Sequence, residues 1–236
     1  MNSKSPEAVA RQLCNALEQL TGANLAAVWL YGASVFGHPS VDIDVHILLW
    51  EQLSANEWES VWNLHERIAK DASLPLEGLD FWYISMKAAG DRSNPVHLAP
   101  WTNGLTDNHW PLHRAHWLAG KVVVIYGLEP SAVVQPPTWD ELEPVLRDEL
   151  YMTTPSAYGV LQLCRVWASL ETQDVVRSKL DSADWAVQRL NGEYQGIIRA
   201  AVRCYEGTQT PDDLEVIQYE FSDFLEEIRN KTDNKF

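Results

Sequence analysis

The most constraining feature of this sequence is that strand patterns stop after its first half. Up to residue 127, the chain contains short apolar runs and segments that alternate apolar with polar residues, which is typical of β-strands. From Trp139 onward, apolar residues recur three or four positions apart, which indicates amphipathic helices. We therefore predict an α+β protein with two domains: a mixed sheet with flanking helices in residues 1–140, and an all-helical bundle in residues 141–236.

The patterns also predict where the individual elements lie. In the first half, we predict strands at residues 25–31, 41–47, 79–86 and 122–126. We predict helices there from Pro6, behind a capping box at Ser54, and over residues 111–118. In the second half, we predict helices around residues 142–152, 158–170, 179–190, 194–205 and 212–229.

The charge balance limits the kinds of partner that the protein can bind. Lys and Arg number 18 against 33 for Asp and Glu, so the net charge is −15. This balance argues against nucleic acid, because binding to phosphate backbones depends on clustered Lys and Arg. The same field attracts small cations. The sequence also has three scattered cysteines and no apolar stretch long enough to span a membrane, so we expect a cytoplasmic protein without a membrane partner.

The clearest chemical signal lies on the predicted strand at residues 41–47. Asp42 and Asp44 alternate with apolar residues there, so both carboxylates project from one face. Two carboxylates at such close range repel each other unless a cation neutralises them, and Mg²⁺ prefers oxygen ligands of this kind. Asp80, on the next predicted strand, would add a third carboxylate. Taken alone, the pair is equally well explained as two solvated aspartates on a half-exposed strand.

A turn rich in small residues precedes this strand. Gly32, Ala33 and Ser34 follow the first predicted strand, and Gly37 comes shortly after them. Glycines and a small hydroxyl at a strand end let backbone N–H groups approach phosphate oxygens closely. Gly32, Ala33 and Ser34 are therefore candidate nucleotide-binding residues.

This order of motifs resembles the nucleotidyltransferase superfamily, whose signature is a Gly-Ser turn, a D-x-D on the next strand and a third acidic residue on a later strand. Within that superfamily, the chain is most similar to the streptomycin/spectinomycin adenylyltransferases of the aminoglycoside (3'')(9) type. The resemblance covers both halves of the chain and is carried by residues 30–48, 121–127, 161–167, 179 and 183–190.

The resemblance implies transfer of AMP from ATP to a hydroxyl group of a small cationic acceptor such as an aminoglycoside or aminocyclitol antibiotic. It implies that Asp42 and Asp44 hold two Mg²⁺ ions on the ATP phosphates and that pyrophosphate leaves. Asp80 matches the third acidic position and would act as the general base or complete the metal site. We expect a monomer that uses ATP as its co-substrate.

The resemblance also implies functions for residues of the helical half. Lys179 and Arg189 would bind the triphosphate, and Trp167 would contact the acceptor. Glu171 and Asp174 would pair with ammonium groups of that acceptor. Each residue also has a purely structural explanation, because Lys and Arg on helices are usually solvated and Trp167 fits equally well as a core aromatic residue.

Two departures from the family pattern leave other functions open. The Gly-Ser pair is Gly32-Ala33 in this chain, with Ser34 one position later, and Val41 replaces a serine that precedes the first aspartate. Lost hydroxyl contacts would weaken nucleotide binding without removing the metal ligands. The alternatives are a nucleotidyltransferase that modifies a protein or another metabolite, and a non-catalytic nucleotide-binding homologue.

Three histidines near residues 111–118 have a spacing similar to that of zinc ligands on a helix. His109, His113 and His116 have a spacing that brings imidazoles near one helical face. However, Pro111 interrupts the pattern between the first two, and no cysteine lies nearby. We therefore predict a metal-free role for these histidines, and a structural or exposed position for His46.

Overall fold

The computed structural model describes residues 5–37, 42–190 and 192–233. The chain divides into two compact units, Met1–Pro137 and Thr138–Phe236. Strands occur in the first unit, and the described part of the second is built from helices. The predicted α+β class is thereby confirmed. The assignment of separate functions to residues 1–140 and 141–236 stays a prediction.

The first unit contains a mixed four-stranded sheet. Its strands are β1 (Leu25–Leu30), β2 (Ile43–Leu49), β3 (Leu79–Ser85) and β4 (Val123–Gly127). They lie in the order β3-β2-β1-β4. β1 runs antiparallel to both of its neighbours, whereas β2 and β3 are parallel. The helices of this unit are α1 (Pro6–Thr21), α2 (Ala55–Ala72), α3 (Met86–Gly90) and α4 (Trp110–Leu118).

The two faces of the sheet pack against different partners. On one face, alternate strand residues such as Val45 and Phe81 form a core with α1 and α2. On the other face, Trp29 and Leu48 belong to a second core that includes Trp110 and Trp117 of α4. Since successive side chains of a strand point to opposite faces, the polar positions of β2 and β3 lie on the α4 side.

The ends of the first two long helices follow directly from local sequence. Ser5 caps α1 by accepting a hydrogen bond from the Ala8 N–H, and Pro6 occupies the first turn. Ser54 and Glu57 form the predicted capping box of α2, with each side chain bonded to the backbone of the other residue. These caps fix where the two helices begin.

The second unit is built around one central helix. Its helices are α5 (Trp139–Met152), α6 (Ala157–Thr172), α7 (Lys179–Val187), α8 (Gln195–Tyr205) and α9 (Pro211–Asp233). α6 packs against each of the other four. Its residues from Gly159 to Leu163 are all buried, which explains why it is more apolar than a surface helix. The predicted helical bundle is confirmed. No helix in the described ranges is both long enough and apolar enough to cross a lipid bilayer.

Candidate active site

Three carboxylates lie at the start of two neighbouring parallel strands. Asp44 is the second residue of β2, Asp80 is the second residue of β3, and the register of the two strands pairs them directly. Residues paired in this way in a parallel sheet point to the same face. Asp42 immediately precedes β2, two residues before Asp44. Asp42 and Asp44 are half-buried, and Asp80 is exposed. The structure therefore brings together the three acidic residues selected from the sequence.

The alternation of residues explains why these acids face away from the main core. Ile43 and Val45 of β2 are buried among the residues that pack with α1 and α2. Leu79 and Phe81 of β3 are buried in the same core. A shift of either strand by one residue would turn its carboxylate into that apolar core, so the hydrophobic pattern fixes the acidic face.

The turn after β1 lies directly against Asp44. Gly32 has a φ of +75°, which side chains rarely permit, and a Cβ atom there would come within 1.7 Å of the Asp44 Oδ2 atom. The backbone N–H of Tyr31 also donates to the Asp44 carbonyl oxygen at 3.0 Å. Only glycine at position 32 therefore leaves room for the Asp44 carboxylate where it stands.

The rest of the turn is a short 3-10 helix over Ala33–Phe36. The Ser34 hydroxyl, predicted as a phosphate contact, donates to the Tyr31 carbonyl oxygen at 3.1 Å. Ser34 thus helps to hold the turn together. Val41, the second departure from the family pattern, lies outside the described residues.

The surroundings of Asp80 make it a better base than an ordinary aspartate. Protein atoms around its carboxyl group displace water and raise its pKa, and the negative charge of Asp42 adds to this shift. Two neighbours lower the pKa of Asp80: the Trp82 indole N–H, which donates a hydrogen bond to it, and the nearby His113. The net effect raises the pKa, although the side chain still reaches solvent. A carboxylate with a raised pKa holds an accepted proton more strongly.

A second polar cluster, which sequence reasoning missed, lies on the same face of the sheet. His46 follows Asp44 by two residues on β2 and is completely buried. It lies beside Asp107, in the segment before α4, and beside His113 of α4. The sequence showed only that His46 shares the face of Asp42 and Asp44. Asp107 lies 61 positions further along, so no local spacing connects the two.

The histidine trio considered at the sequence level does not form a cluster. His109 is the N-cap of α4, and Pro111 lies in the first turn of that helix, where it begins the helix without interrupting it. Among the described residues, one group of His, Cys, Asp or Glu has metal-binding spacing, and it contains His46, Asp107 and His113. His46 is completely buried, so the exposed alternative is wrong, and its structural role stays a prediction.

The predicted phosphate-binding residues of the helical unit stand on or next to α7. Lys179 begins this helix, and its ammonium group lies 4.1 Å from the ring centre of Tyr158. Arg189 follows the helix, is exposed, and stacks over the Trp185 ring at 4.2 Å. Both positive charges lie over aromatic rings of this unit. Their role as triphosphate ligands stays a prediction.

The predicted acceptor-binding residues lie at the C-terminal part of α6 and just beyond it. Trp167 is only 5% exposed and packs edge-on against Trp185 at 4.7 Å between ring centres. Glu171 and Asp174 are exposed. Asp174 accepts a hydrogen bond from the Val176 N–H at 3.0 Å and lies 3.8 Å from Arg177. Trp167 thus contributes to the core of this unit, and the acceptor contacts stay predictions.

Comparison with known proteins gives a match to a family model and matches to solved structures. Residues 141–231 match the model of the aminoglycoside adenylyltransferase C-terminal domain. The chain is similar to the crystal structure of spectinomycin adenyltransferase AAD(9) from Enterococcus faecialis with ATP and spectinomycin. That match has a TM-score of 0.73 and 15% sequence identity, and it covers 95% of this chain and 98% of the other. No curated protein sequence matches the chain.

A second structure has a much weaker similarity. It is a tri-AMPylated Shewanella oneidensis HEPN toxin in complex with MNT antitoxin, with 12% identity over 54% of this chain and 76% of the other. Its TM-score of 0.29 is too low to support an argument. The family model confirms the resemblance over residues 141–231, and the match to AAD(9) shows that the chain has a similar fold. For the residues before 141, these comparisons show similarity of fold alone.

Proposed function

We propose that this protein transfers AMP from ATP to a hydroxyl group of a small cationic acceptor, an aminoglycoside or aminocyclitol antibiotic such as streptomycin or spectinomycin. The observation that carries the proposal is the pairing of Asp44 with Asp80 across two parallel strands, with Asp42 two residues before Asp44. The protein would act as a cytoplasmic monomer, without nucleic acid.

The donor set fits Mg²⁺. Asp42 and Asp44 offer carboxylate oxygens, which Mg²⁺ prefers, and Asp80 adds a third acid on the same face. Gly32 keeps the space beside the Asp44 carboxylate clear of any side chain. We propose that Asp42 and Asp44 hold two Mg²⁺ ions together with the ATP phosphates. When bound, the ions neutralise charge on the attacking and leaving oxygens.

Asp80 would remove the proton from the acceptor hydroxyl. The hydroxyl oxygen forms a bond to the α-phosphorus of ATP, while the bond from that phosphorus to the oxygen of the β-phosphate breaks. The proton moves to a carboxylate oxygen of Asp80, and pyrophosphate leaves with the bonding electrons. The raised pKa of Asp80 supports this role, because it makes the carboxylate a stronger proton acceptor.

Other residues would position the two substrates. Backbone N–H groups of the turn at Gly32, Ala33 and Ser34 would approach the phosphates, as glycine-rich turns commonly do. Lys179 and Arg189 would supply positive charge to the triphosphate. The acceptor would contact three residues of the helical unit, namely Trp167, Glu171 and Asp174. The match of residues 141–231 to the family model supports this placement.

The choice of acceptor rests on charge and on similarity. The net charge of −15 favours a cationic ligand over an anionic one. The structure of AAD(9), which shares this fold, was determined with ATP and spectinomycin. Together these observations support an amine-bearing drug as the acceptor.

The proposal is tested by measuring pyrophosphate release from Mg-ATP with streptomycin, spectinomycin and a panel of other aminoglycosides. We expect release with one of these drugs, and none in Asp42→Asn. The matched control is Asp91→Asn, which removes an exposed acid that ends α3 and should retain activity. An active Asp42→Asn protein would overturn the mechanism. If the protein binds Mg-ATP but releases no pyrophosphate with any drug, the acceptor would be a hydroxyl group of a protein or of another metabolite. If the protein binds no nucleotide, it would be a non-catalytic homologue.

A further inference from the structure

The cluster of His46, Asp107 and His113 lies inside the first unit, beyond the three carboxylates on the same face of the sheet. The side chains of His46 and Asp107 are 0% and 2% exposed, and that of His113 is 19% exposed. They come from three separate segments: strand β2, the segment before α4, and α4 itself. A cluster assembled from three segments in the interior needs a stabilising interaction, because buried polar groups are costly when left without partners.

The distances between the potential ligand atoms of the cluster are close to the distances between ligands of one metal ion. The Asp107 Oδ2 atom lies 2.9 Å from His113 Nδ1 and 3.4 Å from His46 Nε2. One ligand atom from each residue lies within 4.8 Å of the other two. Ligands that stand about 2.0–2.2 Å from a zinc ion lie roughly 3.0–3.5 Å from each other. The 3.4 Å separation falls in this range, and the 2.9 Å separation, which is a hydrogen bond between Asp107 and His113, is slightly shorter.

The second carboxylate oxygen of Asp107 is used differently. Oδ1 accepts a hydrogen bond from the His109 N–H at 3.0 Å, at the start of α4. This bond fixes the orientation of the carboxylate and directs Oδ2 toward the two imidazoles. Metal sites commonly have ligands that are oriented in this way by a further hydrogen bond.

The surroundings of His46 supply a further observation that points to a bound ligand. Among the described residues, neither of its ring nitrogens has a partner with the geometry of a hydrogen bond, and both nitrogens are buried. The contact of Nε2 with Asp107 lacks hydrogen-bond geometry. Aromatic rings surround the imidazole, with Tyr31 and Trp117 each 4.9 Å away between ring centres. A buried polar group without a partner destabilises the folded state, because it has lost its hydrogen bonds to water. A metal ion would use the Nε2 lone pair.

We propose that His46, Asp107 and His113 bind a divalent transition-metal ion of the zinc type, at a site separate from the carboxylates Asp42, Asp44 and Asp80. Two imidazoles and one carboxylate suit ions such as Zn²⁺ or Co²⁺, whereas sites with oxygen ligands alone suit Mg²⁺. A divalent ion exceeds the single negative charge of Asp107, so the site carries net positive charge beside the acidic face. It ties β2 to α4 and reduces the repulsion among the carboxylates.

The test uses untagged full-length protein that has been stripped with a chelator and then kept in excess Mg²⁺, so that the oxygen-only site is not available to zinc. Zn²⁺ is added in a calorimetric titration, and Co²⁺ is added while visible absorption is recorded. We expect one equivalent to bind, Zn²⁺ to raise the melting temperature, and Co²⁺ to give absorption bands typical of nitrogen ligation. Asp42→Asn should bind Zn²⁺ as the unmodified protein does.

The decisive variant is His113→Asn, because His113 is partly exposed and its replacement should leave the fold intact. We expect its Zn²⁺ affinity to fall at least tenfold and the thermal shift to disappear. The matched control is His116→Asn, which changes a histidine of the same helix outside the cluster and should leave Zn²⁺ binding unchanged. Absence of zinc binding, equal binding by His113→Asn, or binding that is lost in Asp42→Asn would overturn the proposal. In each of these cases, Asp107 and His113 form an ordinary ion pair.

Discussion

A methyl group at position 32 would collide with the carboxylate of Asp44, because its carbon would stand 1.7 Å from Oδ2. We predict that Gly32→Ala displaces this carboxylate and lowers kcat/KM at least about 100-fold, since a shift of about 1 Å at a reacting centre can cost that much. Steady-state kinetics and circular dichroism measure the effect and the integrity of the fold.

Gly37→Ala is the matched control for this prediction. Gly37 has the same φ of +75°, but an added Cβ meets no atom of the described residues within 4 Å. The control should lose roughly 1–2 kcal/mol of stability through backbone strain and retain its activity. Equal loss of activity in the two variants would mean that backbone strain, and not the position of Asp44, is responsible.

The variant Asp80→Asn distinguishes two roles of Asp80, general base and metal ligand. We predict that kcat falls about 10²–10⁴-fold while the affinity for Mg-ATP stays within a few-fold, because an asparagine cannot accept the proton. In the unmodified protein, activity should decline as pH falls through the raised pKa of Asp80, where its carboxylate becomes protonated. Asp80→Asn should lack this acidic limb. A parallel loss of Mg-ATP affinity would assign Asp80 to the metal site instead.

At this scale, the sequence predicted the carboxylates and missed their surroundings. Alternation along one strand is a local property, so Asp42 and Asp44 were visible, and Asp80 could be placed on the same face of a later strand. The pairing of Asp44 with Asp80 depends on strand register, and the approach of Asp107 to His46 depends on the path of a long connection. Neither is encoded in a short window of sequence.

At the level of elements, two helical glycines of the second unit give a paired prediction. A Cβ at Gly159, near the start of α6, would stand 2.1 Å from the Thr154 carbonyl oxygen and 3.2 Å from the Phe221 ring. At Gly196, near the start of α8, it would meet no atom within 4 Å in the part of the chain that the structure describes. We predict that Gly159→Ala destabilises the protein by about 1–3 kcal/mol through overpacking.

Gly196→Ala should change stability little, or increase it by up to about 1 kcal/mol, because alanine is the better helix former. Urea unfolding of the two variants measures both effects. A stabilised Gly159→Ala protein would show that α6 does not approach residue 154 as closely as described.

The sequence predicted the elements well where apolar spacing was regular. The helix predicted at residues 179–190 ends at Val187, and the strand predicted at 122–126 lies at Val123–Gly127. Between the strand predicted at residues 79–86 and the helix predicted over residues 111–118, the structure has the short helix α3 and an isolated bridge between Val96 and Thr106, which were not predicted. Short elements of this kind depend on contacts between residues that are distant in sequence. The spacing of apolar residues does not predict such contacts.

For the whole molecule, the acidic charge predicts how acceptor binding responds to salt. With Mg-ATP at saturation, the KM of a cationic acceptor should rise severalfold as salt increases, because salt screens the attraction over roughly 8–10 Å at physiological ionic strength. The kcat should change little. Initial rates at several salt concentrations measure this, and a KM independent of salt would mean that the acceptor is not selected by charge.

The fold of the whole chain followed from the order of its patterns, since strands and helices in the first half and helices in the second match the two units. The choice of acceptor does not follow from that order. It depends on side chains that hold a particular ligand, and Trp167 illustrates the difficulty, because its aromatic ring fits a core position as well as it fits a binding site.

The most direct measurement of the central claim follows the α-phosphate of ATP. With ATP labelled at that position and streptomycin or spectinomycin as the acceptor, the account predicts label on the drug in the unmodified protein and none with Asp42→Asn. With ATP labelled at the γ-phosphate, the label should appear in pyrophosphate. Label from the γ-phosphate on the drug, or transfer of the α-phosphate that survives in Asp42→Asn, would contradict adenylyl transfer at these carboxylates.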